Sequence, residues 1–231
     1  MFWDMPKTKL GGSKLTREKI KEASRVIRWA LNREGPHAAL FSGSPASTVL
    51  LHMIREVTGE EIRVLVCHVD LLRNHLAIYQ YLDKMGKLWG FKIVRERNEY
   101  LIDQAEITGD WDEFYYRHTQ KTRNKMAEEC RFRHLLLAEY GESRNEKFQE
   151  ISLNVDFHLF EVRPLLGFKG EEVSELIKMN NLPFCPIFRE TLEAEGKELL
   201  GNHGELIAVS GSDIEAEKRE MASKLKSLGY L

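Results

Sequence analysis

The chain alternates short apolar runs with longer stretches in which apolar residues return every three or four positions. From Ser13 to Arg33 the residues Ile20, Ala23, Val26, Ile27, Ala30 and Leu31 keep helical spacing until Gly35 and Pro36 stop the segment, which predicts an amphipathic leading helix. HAALF, from His37 to Phe41, reads as a strand; after the loop SGSPAST, Leu50, Leu51, Met53, Ile54 and Val57 return to helical spacing. The unit then repeats. IRVLVCHV, from Ile62 to Val69, is rich in β-branched residues, and Ile78, Leu82, Met85 and Trp89 line one face of a helix predicted from Leu72 to Trp89. FKIVRE is a third strand, WDEFYYRHTQKTRNKMAEEC a helix, HLLLAEYG and HLFEV further strands, and KGEEVSELIKMNNLP a helix ended by Asn180 and Asn181 before Pro183. The last segment, SGSDIEAEKREMASKLKSLGYL, opens on a capping box of Ser212 and Glu215 and stops at Gly229.

Strands separated by helices of this length pair in parallel through right-handed crossovers. The expected fold is therefore α/β: an open, twisted, mainly parallel sheet flanked by helices, with an N-terminal helix and a C-terminal helical tail. The boundaries expected are 1–34 for the N-terminal helical extension, 35–190 for the α/β domain and 191–231 for the tail, with no low-complexity linker between them. At 231 residues one core suffices. Lys and Arg number 34 against 36 Asp and Glu, so no overall basic field draws nucleic acid or membrane, and an anionic ligand needs a local site. Cys67, Cys130 and Cys185 form no C-x-x-C pair, which argues against zinc, an iron–sulfur cluster or a redox dithiol and fits a reducing, cytoplasmic home. The N-terminal MFWDMPKTKL lacks a signal-peptide core, and no apolar run reaches membrane-span length. The eight histidines show no metal-binding spacing, and His68 on a strand is expected to pack.

The loop SGSPAST is the candidate for chemistry. In an open α/β sheet, ligands sit beyond the carboxyl ends of the strands, and small residues between strand and helix let backbone N–H groups approach phosphate oxygens at the helix N-terminus. Ser42, Gly43, Ser44, Ser47 and Thr48 suit that task. The loop is neither G-x-x-x-x-G-K-[ST] nor G-x-G-x-x-G.

SGSPAST followed by VLLHM resembles the first motif of the PP-loop ATP-pyrophosphatase superfamily, S-G-G-x-D-S, and in particular the phosphoadenosine phosphosulfate (PAPS) reductase family with S-G-G-K-D-S-T. EVRPLLGFKGEEVSELIKMNNLPFCPIF is similar to the family's late segment, with a Pro-Leu pair, a helix and then LP before a proline. HVDLLRNHLAIYQYLDKMGKLWGFKIVRE occupies the place of its second strand, helix and third strand, so the resemblance runs from about Gly35 to Arg189. It implies an adenine-nucleotide-binding α/β fold of the adenine nucleotide α-hydrolase type, taking ATP, AMP or a sulfonucleotide.

The chain also departs from the pattern. Ala46 stands where the family's loop acid helps hold Mg²⁺ on the phosphates, Pro45 where a lysine is common, and Ser44 in place of the second glycine. No cysteine follows Cys185, whereas sulfonucleotide reduction needs a thiolate near the C-terminus. The resemblance places Asp70 at the ribose or a metal, against a plain reading as a helix N-cap. Arg144, in EYGESRNEKFQE, either pairs with a phosphate or belongs to a solvated charge cluster. Arg163, in VRPLL, either lies near the nucleotide or satisfies backbone carbonyls and Glu161.

Two further functional readings stay beside nucleotide binding with weakened chemistry. One is an active adenylyl transfer releasing pyrophosphate, in which Asp70 or another carboxylate supplies the Mg²⁺ ligand, for sulfur transfer or tRNA modification. The other is a non-catalytic interaction protein, which would tolerate a bulky residue at Gly43. DWDEFYYRHTQKTRNK reads as a half-buried helical face with a solvated edge and is also the candidate surface for RNA or a protein partner. An oligomer is compatible with all three.

Overall fold

The computed structural model describes residues 14–59, 62–70, 76–97, 111–141 and 149–188. In chain order the elements are α1 (Lys14–Leu31), β1 (His37–Leu40), α2 (Pro45–Thr58), β2 (Leu65–Val69), α3 (Leu76–Trp89), β3 (Ile93–Glu96), α4 (Trp111–Cys130), β4 (His134–Leu136), β5 (Ile151–Asn154), β6 (Leu159–Val162), α5 (Gly170–Met179) and a 3₁₀ turn (Pro186–Phe188). Six strands form one sheet in the order β3-β2-β1-β4-β6-β5. All neighbours pair in parallel except β5, which runs antiparallel to β6. The expected α/β class with a mainly parallel sheet is the observed one.

Strand alternation sorts the core onto two faces. Ala39, Phe41, Val66, Leu136 and Val162 face a layer built by α1, α2, α3 and α5, where Val26, Ile27, Leu50, Ile54, Leu82, Met85 and Ile177 are buried. Ala38, Cys67, Val69, Leu135 and Leu137 face the opposite way and meet Met126 and Ala127 of α4. Moving from β1 to β2 to β3 keeps α2 and α3 on one face, as right-handed crossovers require. The chain then returns past β1 to reach β4, which sends α4 to the other face. The direction of winding reverses between β1 and β4, and in open α/β sheets ligands bind beside the carboxyl ends at such a reversal.

Local chemistry sets the helix ends that matter here. Ser44 caps α2, its hydroxyl accepting from the Ser47 amide at 3.2 Å, and Pro45 occupies the first turn, where no N–H is needed. Gly59 ends α2 in the left-handed conformation. Asn180 and Asn181 end α5 as expected, Asn181 with φ +47°. Lys19 of α1 joins Glu172 of α5 at 2.7 Å, tying the first helix to the last described one. Strand β5 was not legible in the sequence. The tail helix with Ser212, Glu215 and Gly229, the residue Arg144, and the predicted boundary at 190/191 lie outside the described residues.

Candidate functional site

The loop after β1 emerges at the carboxyl edge beside the reversal point, and its small residues build a closed turn. Gly43 has φ +87°, a region that disfavours any side chain, and a Cβ placed on it would stand 3.3 Å from Ile78 Cγ2 and 3.7 Å from Tyr81. A bulky residue there strikes α3 whatever the protein does, so tolerance at Gly43 cannot separate a binding site from a structural loop. The serines bond mainly to one another. Ser42 Oγ lies 3.1 Å from Ser44 Oγ and 3.4 Å from Ser47 Oγ, and it accepts from the Ser44 amide at 3.3 Å. Ser47 donates to the Ser44 carbonyl at 2.9 Å. Of the four amides that a helix start leaves unpaired, Ser44 and Ser47 are served by hydroxyls and Pro45 has none, so Ala46 carries the remaining one. Gly43, Ser44, Ser47 and Thr48 are buried; Ser42 is the loop residue with partial exposure.

Thr48 connects this loop to two distant parts of the chain. Its hydroxyl lies 2.7 Å from the Tyr81 hydroxyl and 3.1 Å from the Ser44 carbonyl, and Tyr81 donates to the Pro183 carbonyl at 2.9 Å. With the single Tyr81 proton given to Pro183, the single Thr48 proton is shared between the Ser44 carbonyl and the Tyr81 oxygen. Burial pushes the Tyr81 hydroxyl well above its ordinary pKa, so it stays protonated and the chain of bonds keeps its direction.

Asp70 follows β2 at the same edge. Its carboxylate accepts the Tyr79 hydroxyl at 2.6 Å, and its carbonyl lies 3.1 Å from His118 Nε2 on α4. Residues 71–75 separate it from the described start of α3. His68 packs inside β2, with Nδ1 2.9 Å from the Phe41 carbonyl.

Arg163, just beyond β6, is 4% exposed and held on several sides. It pairs with Glu139 beyond β4 and with Glu161, and it donates to Ser152 Oγ at 2.7 Å and to the Gln149 carbonyl at 3.5 Å. Burial opposes its charge, but the two carboxylates win and raise its pKa further. Arg163 thus bonds a backbone carbonyl and Glu161, as well as Ser152 of β5 and Glu139 beyond β4. Arg123 on α4 approaches Glu139 from the other side, its Nη1 3.8 Å from Oε1. Sequence reading passed over Arg123 and Glu139. The available signal was the polar cluster His118, Thr119, Thr122 and Arg123 at helical spacing, which continues downward into Met126 and Ala127.

Burial pushes the Cys67 thiol up to about 12, and burial also raises Cys185, so neither is a ready thiolate. Among the described residues, no group of three or more His, Cys, Asp or Glu is placed to hold a metal ion, and no helix is long and apolar enough to cross a membrane.

A small-residue loop capping a helix at the winding reversal of a mainly parallel sheet defines a doubly wound α/β protein. The sequence matches the phosphoadenosine phosphosulfate reductase domain over residues 36–198, and the chain belongs to that family. The fold is shared with solved structures at low identity. A PAPS reductase from Candida auris, in a phosphate complex, is 16% identical with a TM-score of 0.57, over 85% of this chain and 98% of that one. An FMN adenylyltransferase from Candida glabrata in complex with ATP is 10% identical with a TM-score of 0.56, over 76% of this chain and 58% of that one. A U34-tRNA thiolase from Methanococcus maripaludis, with its 4Fe-4S cluster, is 16% identical with a TM-score of 0.55, over 92% of this chain and 74% of that one. A comparison with curated proteins gives no match.

Proposed function

We propose that this protein binds an adenine nucleotide at the carboxyl edge of β1, β2 and β4, with pyrophosphatase and reductase chemistry weakened or lost. The observation that carries the reading is the Ser42–Thr48 turn. It keeps the positive-φ glycine and the capped helix start of a phosphate cradle. Its hydroxyls fill positions at which a ligand oxygen would otherwise accept the amides of Ser44 and Ser47. In this reading Ser42 is the entry point, Ser44, Ser47 and Thr48 shape the turn, and Asp70 reaches the ribose or a Mg²⁺ brought with the phosphates. One carboxylate plus phosphate oxygens suits Mg²⁺, which keeps most of its water. The weakened chemistry is supported by Ala46 in the place of the loop acid and by the raised thiols.

Calorimetric titration with ATP, AMP and PAPS, each with and without Mg²⁺, tests this. Ser42→Asp serves as the blocked loop, because it sets a negative charge at the partly exposed rim without disturbing Gly43. Saturable binding that this variant loses supports the site; equal binding by both proteins moves the nucleotide elsewhere. Release of pyrophosphate from ATP would replace the weakened-chemistry reading with adenylyl transfer.

A further inference from the structure

The buried stripe of α4 changes character along its length. Met126 and Ala127 meet the apolar sheet face formed by Ala38, Cys67, Leu135 and Leu137. One and two turns earlier the same stripe is His118, Thr119, Thr122 and Arg123, all at most 6% exposed. A helix that only covered a sheet would be apolar throughout, because each buried polar group must recover the hydrogen bonds it had in water. In particular, Thr122 Oγ1 and Arg123 Nε are buried with no hydrogen-bond partner among the described residues. Arg123 meets Glu139 at 3.8 Å, an ion pair without a hydrogen bond, while the other Glu139 oxygen is taken by Arg163.

The polar half also lies at the functional edge. His118 reaches the Asp70 carbonyl at the end of β2, and Glu139 and Arg163 follow β4 and β6. Strands β4 and β1 are neighbours, so Arg123 serves the strand end adjacent to the one that bears Ser42.

We propose that Arg123 is the oxyanion-binding residue of this site: its Nε–H, assisted by the Thr122 hydroxyl, receives a phosphate or sulfate group of the ligand while Glu139 orients the guanidinium. This rests on the nucleotide reading and assigns the anion's contact to a residue outside the loop. A planar guanidinium with an unused Nε–H matches a tetrahedral oxyanion.

The test is calorimetry on the full chain with inorganic pyrophosphate, sulfate, AMP and adenosine as separate probes. Arg123→Met, which keeps the packing of the side-chain stem, is expected to weaken pyrophosphate and AMP binding by about tenfold or more, the equivalent of one charged hydrogen bond, and to flatten their salt dependence. Adenosine binding should be unchanged. Comparing pyrophosphate with sulfate decides which oxyanion the site prefers. A purely structural Arg123 would shift the unfolding midpoint and leave affinity and salt slope alone, and that result overturns the proposal. Adenosine binding without any anion binding overturns it while sparing the nucleotide reading; Arg123-dependent pyrophosphate binding without adenosine binding does the reverse. Absence of binding by all four probes overturns both. If Arg123→Met does not fold, the wild-type Arg123 Nε–H resonance, assigned with Arg123→Lys, must move on saturation with pyrophosphate, and a stationary signal refutes the contact.

Discussion

Gly43 shows how much of a turn one residue can carry. Left-handed backbone costs a side chain about 1–2 kcal/mol, and here the new Cβ would also press on Ile78 at 3.3 Å. Gly43→Ala is therefore expected to lose about 2 kcal/mol in chemical denaturation; a change within about 0.5 kcal/mol, the scatter of ordinary surface substitutions, would contradict the geometry. The glycine was legible in sequence because turn and cap chemistry is local: a strand, a few small residues and a helical run announce the turn before any partner is known. Arg123 was not legible. Its stretch reads as a half-buried face with a solvated edge, and the side that Arg123 takes is fixed only once Glu139 and the sheet are in place to bury it. Asp70 stands between these cases, placed at its strand end by the pattern but given its Tyr79 partner only by the fold.

The elements divide along the same line. Helices α1, α2, α3 and α5 repeat an apolar face over several turns, so their periodicity declares them, and β1 and β2 stand out as apolar runs. Strand β5 has only Ile151 and Leu153 to offer in four residues, and its conformation comes from pairing with β6. Arg163 fastens that pairing, linking Ser152 of β5 to Glu161 of β6 and to Glu139 beyond β4. Arg163→Met would leave two carboxylates facing each other with no cation of comparable closeness. The expected loss is about 3 kcal/mol, the low end for a broken buried pair because both carboxylates keep some contact with water. Acidification should narrow the gap between variant and wild type, since protonating the carboxylates relieves their repulsion. A gap that stays constant with pH in urea titrations would mean that Arg163 contributes packing rather than charge.

At the scale of the molecule, four histidines among the described residues resist protonation. His52, His68, His118 and His134 all have pKa values lowered from 6.5, in each case first by burial. The unfolded chain takes up protons near pH 6.5 and the native one does so only at lower pH, so stability is complete above that value and declines as pH falls toward the folded pKa values. Unfolding free energy should drop between pH 7 and pH 5, by at most about 1.4 kcal/mol per pH unit for each histidine. His134→Phe should reduce that slope, and an unchanged slope would assign the effect to other groups. The Tyr81 hydroxyl adds a consequence in time. It joins Thr48 to the Pro183 carbonyl, partners separated by most of the described chain. During synthesis the turn and its helix leave the ribosome early, but the group that receives the Tyr81 proton arrives only with Pro183. The nascent protein therefore carries an unlatched loop until synthesis has passed Pro183, and the latch closes only after that.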